Sequence, residues 1–283
     1  MIDLHQHSIF SDGSDSINDL IKNNVKSDIQ IMALTDHDTI DGCKKVLNSS
    51  TNYNISFIPG IEFSTQDKGE SIHILAFGFD VDDPIIERLL KESIELRKKR
   101  VYERVSILER DFKIHLTKEE MELINKSNNP NKVLLANILI KNGYADNISD
   151  AIKKYLYHKM PESKLSTEYV LRNLDKSTAI SSYAHGLGGV GEKRVEKDVF
   201  EERLKRFVNY GLKALECYYS LYNKTEQRYL EESSNKYSLL RSGGSDYHGS
   251  VKTVKIGELS SDGTVPDTKN FTILKAIKNI YKI

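Results

Sequence analysis

The hydrophobic and polar positions along the chain follow two periods. Ile2 and Leu4 alternate with polar residues in the two-residue period of a buried strand. Residues 16–27 place apolar side chains on one helical face, after an Asp-Ser pair typical of a helix start. The alternation of the two patterns predicts an α/β domain with mostly parallel strands. In this part of the chain the expected strands are residues 29–34, 55–63 and 71–79, and the expected helices are residues 16–27 and about 39–49.

Strand-type alternation stops after Pro84. Residues 85–110 form one long helical stretch, and Thr117-Lys-Glu-Glu120 predicts a capping box at the start of a second helix. Two more helices are expected at residues 131–142 and 149–157, and strand patterns return only near residue 177. The expected organisation is an α/β domain of residues 1–84 and 177–283, interrupted by a helical insertion at residues 85–176.

The last part of the chain returns to alternating strands and helices. A glycine-rich run at residues 186–191 follows His185, and its backbone N–H groups could approach an anion. The expected strands are residues 179–184, 214–219, 237–241 and 254–259, and the expected helices are residues 197–210, 224–235 and 270–281.

Charge and cysteine content exclude some classes of partner. The 283 residues include 41 basic and 41 acidic side chains, so no net field attracts nucleic acid or acidic membranes, although the basic run Arg97–Arg104 leaves a local patch open. No apolar run has the length of a membrane span, and the N-terminus lacks a signal-peptide pattern. Cys43 and Cys217 lack metal-type spacing, which favours free buried thiols in a reducing compartment. We therefore expect a cytoplasmic protein without a membrane partner.

Side chains of metal-ligand type recur at the ends of the predicted strands or within them. Each alone could be structural, since a His-x-His pair such as His5 and His7 is a weak signal. Their shared position on the predicted strands favours a functional role, because functional groups of parallel α/β folds gather at the carboxyl ends of strands. His115 and His158 lie outside this pattern, and we expect both at the surface. The nine candidate ligands are His5, His7, Asp12, His37, Glu62, His73, His185, Asp246 and His248.

Nine ligands exceed the number that one ion takes. Imidazole nitrogens suit zinc, iron or manganese, and carboxylates can bridge two ions. Because no cysteine belongs to the set, open hydrolytic metals are favoured over a closed structural zinc site. The set therefore predicts two or three divalent ions (manganese, iron or zinc) that share bridging groups.

Seven short motifs together resemble those of the PHP (polymerase and histidinol phosphatase) superfamily. With Asp-Gly after Ser11 and a helical insertion after the strand that carries His73, the chain most resembles the nucleotide-phosphatase branch. That branch includes AMP and 3′,5′-bisphosphate phosphatases and a 5′-to-3′ oligoribonuclease. The motifs are Asp3-Leu-His-Gln-His7, Ser11-Asp-Gly13, Thr35-Asp-His-Asp38, Gly60-Ile-Glu62, Ile72-His73, Ala184-His185 and Gly244-Ser-Asp-Tyr-His248.

The resemblance implies a distorted (β/α)7 barrel with a trinuclear metal site at one mouth. It also implies a division of the nine ligands among the three ions, with Glu62 bridging the first and the third. The first ion is assigned to His5, His7, Glu62 and Asp246, the second to Asp12, His37 and His248, and the third to His73 and His185.

The implied activity is hydrolysis of phosphate monoesters, with AMP or 3′,5′-bisphosphate nucleotides as expected substrates. In this hypothesis a metal-bound water, held by Glu62, Asp246 and His248, attacks phosphorus in line with the leaving oxygen. Arg194 and Lys252 follow ligand-bearing loops and are candidates to bind substrate, although either could be a surface charge. Asp36 and Asp38 are expected either to orient ligand imidazoles or to cap helices.

Other activities stay open. The first alternative is a 5′-to-3′ exonuclease that trims short RNA or DNA with the same metals. Histidinol phosphatase ranks lower because that branch commonly has a histidine where Asp12 stands, and a non-catalytic metal-binding module is disfavoured by the intact ligand set. Two departures from the family motifs leave the identity of the substrate open. Gly186 replaces the usual proline after His185, and residues 130–136 lack the histidine of the Gly-Arg-x-His element that relatives often carry.

Overall fold

A computed structural model describes residues 1–48, 54–127, 130–158 and 164–280, without the side chains of residues 279 and 280. The chain forms two compact units. The first comprises Met1–Glu87 and Ser166–Ile283, and the second comprises Arg88–Leu165. The sequence pattern predicts residues 166–176 as part of the insertion, whereas the structure groups them with the first unit. There the Thr167 hydroxyl lies 2.8 Å from the Thr65 hydroxyl, and both are buried.

The first unit is built on a sheet that curls into a barrel. In the described residues the strands are β1 (Ile2–Asp3), β2 (Ile31–Leu34), β3 (Ser56–Asp67), β4 (Glu70–Phe77), β5 (Leu165–Ser166), β6 (Ile180–Tyr183), β7 (Ala214–Tyr219) and β8 (Leu240–Gly244). Seven of them form a nearly closed ring in the order β1-β2-β3-β4-β6-β7-β8, which confirms the predicted α/β barrel class. The two-residue strand β5 lies at the sequence boundary between the two units.

One strand of the ring runs against its neighbours. β4 pairs antiparallel with both β3 and β6, while the pairs β1–β2, β2–β3, β6–β7 and β7–β8 are parallel. The β3–β4 pair is a hairpin in which Ser64 lies opposite His73. The early part of β4 therefore reaches the same barrel mouth as the carboxyl ends of the parallel strands, and this is how His73 arrives there.

The ring closes where β1 meets β8 and the loop that follows it. The Leu4 amide donates to the Gly243 carbonyl at 3.1 Å, and the Asp246 amide donates to the His5 carbonyl at 2.8 Å. The backbones approach so closely that a Cβ atom on Gly244 would lie 2.2 Å from the His5 amide nitrogen. A side chain at position 244 is therefore sterically excluded, and the close contact joins the first and the last ligand-bearing segments.

Helices cover the outside of the sheet in the first unit and build the second unit. Side-chain caps fix several starts: the Ser16 hydroxyl accepts a hydrogen bond from the Asp19 amide at 3.2 Å, as its sequence position predicts. The expected closing helix begins at Ile273, and residue 281 lies outside the described residues. In the described residues the helices are α1 (Ile17–Lys26), α2 (Asp41–Leu47), α3 (Pro84–Phe112), α4 (Lys118–Lys126), α5 (Lys132–Lys141), α6 (Ile148–Tyr155), α7 (Thr167–Leu174), α8 (Lys197–Asn209), α9 (Lys224–Lys236) and α10 (Ile273–Ile280).

The strand expected at residues 254–259 does not form. Val254, Ile256 and Leu259 are buried, so the apolar alternation is real, but the backbone turns between them. Gly257 has a φ of 75°, which a strand does not allow, and its amide donates to Asp3 Oδ2 at 2.8 Å. The alternating apolar side chains belong to a loop packed against the barrel.

The second unit has a hydrophobic core of its own. Val101, Leu108, Leu135 and Leu139 are among its fully buried residues. The predicted capping box is present at the start of α4, since the Thr117 hydroxyl accepts from the Glu120 amide and the Glu120 carboxylate accepts from the Thr117 amide. Within the described residues, no helix combines the length and the apolar character that crossing a membrane requires.

Candidate metal centre

All nine side chains that the sequence predicts as ligands lie together at the barrel mouth. Their ligand atoms fall into overlapping groups whose members lie within 4.8 Å of one another. Two of the shared members are Glu62 and His7. The groups in the described residues are His5, His7, Glu62 and Asp246; His7, Asp12, His37 and His248; His37, Glu62 and His73; and His73, His185 and Glu192.

The first group is fully buried. Its two histidines come from the segment after β1, Glu62 from β3 and Asp246 from the loop after β8. Glu62 Oε2 lies 3.1 Å from Nε2 of His5 and 3.0 Å from Nε2 of His7. Asp246 Oδ1 lies 3.5 Å and 3.4 Å from the same two nitrogens. Two nitrogens and two carboxylate oxygens therefore face one small volume.

The second group surrounds Asp12, which lies beyond β1 as its position before Gly13 predicts. Asp12 Oδ1 is 3.4 Å from Nδ1 of His7 and 3.3 Å from Nε2 of His248. Its other oxygen, Oδ2, is 3.8 Å from Nε2 of His37. The Asp12 side chain is about one-third exposed (35 %), so this group is the more open one.

The other oxygen of Glu62, Oε1, faces two histidines of the group formed by His73, His185 and Glu192. Glu62 Oε1 lies 3.0 Å from Nδ1 of His73 and 3.1 Å from Nε2 of His185. These two nitrogens are 3.2 Å apart. The two oxygens of Glu62 thus point into different groups, as a bridging carboxylate would.

Two of the imidazoles have their second ring nitrogen engaged by a neighbour. His5 Nδ1 lies 2.9 Å from Glu216 Oε1, and His248 Nδ1 lies 2.8 Å from the Asp246 carbonyl oxygen. Since both partners are acceptors, the neutral form of each ring carries its proton on Nδ1 and has its lone pair on Nε2. Nε2 is the atom that each of these histidines turns toward the group.

Asp246 is likewise held with one oxygen turned inward. Its Oδ2 accepts a hydrogen bond from the Tyr219 hydroxyl at 3.0 Å and lies 2.8 Å from Lys252 Nζ. Its Oδ1 faces His5 and His7. The carboxylate therefore offers one oxygen to the first group.

The charges of the group shift the pKa values of its imidazoles. Burial lowers the pKa of His7, but the carboxylates of Asp246 and Glu62 outweigh burial and raise it to about 9. Burial also lowers the pKa of His185, and hydrogen bonding to Glu192 and Glu62 reverses this and raises it to about 10. Burial dominates for His37 and lowers its pKa to about 3.

The pKa values of two carboxyl groups in the first group are lowered. Burial tends to raise the pKa of Glu62, but His37, His5 and His73 hold it well below its usual value. For Asp246, burial is outweighed mainly by His5 and His7, so its pKa is also well below the usual value. These carboxyl groups are therefore ionised at neutral pH, the state that binds cations.

The residues present fit a cluster of divalent cations. Within the described residues, the buried Nε2 atoms of His7 and His248 have no hydrogen-bond partner, although carboxylate oxygens lie 3.0 and 3.3 Å away. Metal–ligand bonds of about 2.0–2.2 Å put two ligand atoms of one ion roughly 3 Å apart. Close approach without hydrogen-bond geometry is what shared coordination produces.

Two of the candidate ligands occupy unusual backbone conformations. His185 has a φ of 29° and Asp246 a φ of 60°, both in the left-handed region that residues with side chains seldom adopt. Such conformations persist where surrounding contacts enforce them, and they concentrate at functional sites. Two candidate ligands therefore stand on strained backbone at the barrel mouth.

Asp36 and Asp38 contact serines and backbone amides. Asp36 accepts hydrogen bonds from the Ser8 amide and hydroxyl at 2.8 and 2.7 Å and from the Ser11 hydroxyl at 2.6 Å. Asp38 Oδ1 accepts from the Ser64 amide at 3.0 Å. Asp36 thus acts on the group indirectly, since Ser11 Oγ lies 3.4 Å from His7 Nδ1.

The two predicted substrate-binding residues have different surroundings. Lys252 reaches Asp246 at the barrel mouth. The Arg194 guanidinium bonds Glu226 and the Gly188 carbonyl and lies over the Tyr222 ring, 5.4 Å from its centroid. Substrate binding by either residue stays a prediction, and the geometry supports Lys252 better.

Two carboxylates beside the ligands were missed in the sequence. Glu216 bonds His5, and Glu192 Oε2 lies 3.4 Å from His185 Nδ1. Glu216 could have been found, because a single charged residue inside an apolar strand such as 214–219 requires a buried partner. Glu192 stands in a glycine-rich loop, and its sequence context carries no such signal. Of the two histidines expected at the surface, His115 has a 72 % exposed side chain, whereas His158 is only partly exposed and its Nδ1 is buried.

Sequence comparisons identify relatives across most of the chain. The model of the PHP domain family matches residues 3–219. A 5′-3′ exoribonuclease of Haemophilus influenzae is 27% identical over 263 residues, which cover 90% of this chain and 93% of the relative. A phosphoribosyl 1,2-cyclic phosphate 1,2-diphosphodiesterase of Eggerthella lenta is 24% identical, with 87% and 94% covered. A 3′,5′-nucleoside bisphosphate phosphatase of Chromobacterium violaceum is 23% identical, with 87% of both chains covered.

Two solved structures share the fold over nearly the whole chain. A protein from Bifidobacterium adolescentis described as a metal-dependent phosphoesterase superposes with a TM-score of 0.78 at 23% identity, covering 99% of this chain and 96% of the other. A protein from Chromobacterium violaceum described as an amidohydrolase superposes with a TM-score of 0.75 at 21% identity, with the same coverage. At these identities the likeness establishes the fold.

Proposed function

Because the chain belongs to the PHP domain family, we propose that it is a metal-dependent phosphoesterase acting on nucleotides or short RNA. One observation carries this proposal: nine imidazole and carboxylate side chains converge at one barrel mouth, and Glu62 presents one oxygen to each of two ligand groups. Such a mixed nitrogen and oxygen donor set suits manganese, iron or zinc, and its size suits two or three ions.

Bound divalent ions supply Lewis acidity, which neutralises phosphate charge and makes water a nucleophile at neutral pH. The residues of the chain set the geometry for this chemistry. Glu62, Asp246 and His248 are the groups that we expect to hold the attacking water. Tyr219 and Lys252 keep one Asp246 oxygen occupied, so that the other faces the reacting volume.

The relatives include enzymes for monoesters and for diesters, and the resemblance in the sequence favours nucleotide monoesters. Two observations favour 5′-to-3′ trimming of short RNA as a second candidate. The Haemophilus influenzae relative is named as an exoribonuclease and is matched over 90% of this chain. In the helical unit, Lys132 lies close enough to Arg104 and Arg100 that burial first, and then their charges, lower its pKa. Arg104 is itself buried and bonds the Leu156 and His158 carbonyls, so Lys132 and Arg100 are the cations of this group that a phosphate backbone could reach.

A product assay separates the two candidates. The enzyme, loaded in turn with manganese, iron or zinc, is given a 3′,5′-bisphosphate nucleoside and a 5′-phosphorylated hexaribonucleotide. Inorganic phosphate from the first substrate supports the monoesterase, and mononucleotides released stepwise from the 5′ end of the second support the exoribonuclease. Metal-loaded enzyme that hydrolyses neither substrate, nor other phosphate esters in a panel, contradicts the proposed function.

The location of the protein in the cell also stays a prediction. Cys43 and Cys217 are both buried and form no disulfide, and burial raises the pKa of Cys43 to about 12. Inert thiols of this kind suit the reducing cytoplasm that the sequence suggests.

A further inference from the structure

Glu216 lies in the barrel wall beside the candidate metal centre. It is the third residue of β7, and every residue of that strand is buried. Glu216 itself is fully buried, with an exposure of 0 %. An ionisable side chain in such a position is costly unless polar partners satisfy it. Its partners therefore indicate why a carboxylate stands there.

The two oxygens of Glu216 contact two different candidate ligands. Oε1 lies 2.9 Å from Nδ1 of His5, a residue 211 positions earlier in the chain. Oε2 accepts a hydrogen bond from the backbone amide of His185 at 2.6 Å. One carboxylate thus joins His5 of the first ligand group to His185 of the group formed by His73, His185 and Glu192.

We propose that Glu216 is a positioning residue that orients His5 and His185 for metal binding. This inference rests on the proposed function, since it takes both histidines as metal ligands. With Glu216 as acceptor, the neutral His5 ring carries its proton on Nδ1. Its Nε2 then faces Glu62 Oε2 at 3.1 Å and Asp246 Oδ1 at 3.5 Å.

The contact with His185 has a separate effect. His185 has a φ of 29°, a conformation that the surrounding structure must enforce. The short hydrogen bond from its amide to a buried carboxylate is one such constraint. It fixes the backbone from which the imidazole reaches Glu62 and His73. Glu216 thereby couples the geometry of the first group to that of the group formed by His73, His185 and Glu192.

The arrangement matches a general property of metal-binding histidines. Their second ring nitrogen usually donates to a carboxylate or a carbonyl, which sets the tautomer and raises the basicity of the ligand. His248 obtains this locally, from the carbonyl two residues earlier. His5 depends on Glu216, a residue distant in sequence, and removal of that acceptor leaves the ring free to adopt the other tautomer.

The first test uses the wild-type protein loaded with zinc, which is diamagnetic. Long-range proton–nitrogen correlation spectra of histidine rings distinguish a protonated Nδ1 from a metal-bound one. We expect His5, assigned by comparison with His5→Ala, to show a protonated Nδ1 and a zinc-bound Nε2. A His5 ring with zinc on Nδ1, or one that binds no zinc while the other ligands do, overturns the proposal.

The second test compares Glu216→Gln with a matched control, Ser182→Ala. Glutamine replaces one of the two acceptor oxygens with an NH2 donor, so either His5 Nδ1 or the His185 amide loses the oxygen that it now contacts. Ser182 is fully buried in the neighbouring strand, and its hydroxyl bonds Ser242 at 2.8 Å. Zinc and manganese affinity is measured by competition with a chelator, and folding by circular dichroism. Loss of an orienting partner of this kind lowers metal affinity about 10- to 100-fold.

The expected result is that Glu216→Gln loses affinity within that range while Ser182→Ala keeps wild-type affinity. Wild-type affinity in a folded Glu216→Gln variant refutes the positioning role. If Glu216→Gln does not fold, the His5 tautomer in the wild-type protein decides the matter. A wild-type protein that binds neither zinc nor manganese contradicts the proposed function itself, so the two failures are distinguishable.

Discussion

Asp3 bonds Ser245 through both oxygens of its carboxylate: Oδ1 accepts from the Ser245 amide at 2.9 Å and Oδ2 from the Ser245 hydroxyl at 2.6 Å. The same oxygens also accept from the amides of His5, at 3.3 Å, and Gly257, at 2.8 Å. Asp3 is fully buried. Asp3 therefore links the segment of His5 and His7 to the loop that carries Asp246, although Asp3 is not itself one of the candidate ligands.

Asp3→Asn tests this link. The amide group of asparagine can accept only at its oxygen, so donors now paired with the second carboxylate oxygen lose their partner. A buried donor without a partner costs about 1–3 kcal/mol. We expect the free energy of unfolding in urea to fall by that amount and metal affinity to decrease with it. The exposed Asp198→Asn variant is the control, and equal stability of the two variants would contradict the role given to Asp3.

His5→Ala and Asp246→Asn test the ligand group directly. Each change removes an inward-facing donor atom of the first group. We expect hydrolysis of phosphate esters to fall by orders of magnitude while the circular dichroism spectrum keeps its shape. The matched control is His115→Ala, whose side chain is 72 % exposed on the helical unit. Full activity in either His5→Ala or Asp246→Asn would exclude the proposed mechanism.

Much of the site could be predicted from the sequence because several of its residues occupy the same position relative to a strand. His5, His37 and Asp246 each follow a strand, and the carboxyl ends of parallel strands meet at one edge of a sheet. Sequence patterns carry that information locally. They identified the nine side chains, and the structure brings these side chains together.

The remaining features depend on contacts between residues distant in sequence. The antiparallel direction of β4 is set by its hairpin with β3, and an isolated apolar run does not reveal strand direction. The turn at residues 254–259 depends on the bond between Gly257 and Asp3, which are 254 positions apart. The link between Glu216 and His5 is of the same kind. Periodicity cannot report such tertiary pairings.

Lys252→Gln tests one predicted contact with substrate. Lys252 Nζ lies beside Asp246, and the Lys252 side chain is about one-fifth exposed (22 %), so its charge is accessible from the barrel mouth. We expect KM to rise for a phosphorylated substrate because a cation that meets the phosphate is lost. Lys255→Gln, at an exposed position on the same loop, is the matched control.

Arg194→Gln belongs in the same series. Its guanidinium bonds Glu226 and a backbone carbonyl, neither of which belongs to a candidate ligand, whereas Lys252 contacts the ligand Asp246, so we expect a smaller rise in KM than Lys252→Gln produces. Initial rates over a range of substrate concentrations give both values. If Arg194→Gln raises KM more than Lys252→Gln does, the ranking drawn from their surroundings is wrong.

Thr117→Ala tests the helical unit separately from the metal centre. The change removes the hydroxyl that accepts the Glu120 amide, and loss of such a cap costs roughly 1 kcal/mol. Amide hydrogen exchange should become faster in α4 and remain unchanged in β7 and β8. Ser106→Ala, which removes an exposed hydroxyl within α3 of the same unit, is the control. Equal exchange rates in both variants would show that the capping box does not stabilise α4.

Gly244→Ala tests whether close contact between the ends of the barrel determines the site. The added Cβ would lie 2.2 Å from the His5 amide nitrogen and 2.3 Å from its Cβ, so the two backbones must separate. Overpacking of this kind costs about 1–3 kcal/mol. The separation also lengthens the bond from the Asp246 amide to the His5 carbonyl, now 2.8 Å. We therefore expect Gly244→Ala to lose metal affinity and stability together, as measured by chelator competition and thermal unfolding.

Gly263→Ala controls for loss of a glycine, since a Cβ there meets no described atom within 4 Å and its φ of 76° adds only local strain. Wild-type metal affinity in Gly244→Ala would mean that His5 and Asp246 are positioned independently of this contact.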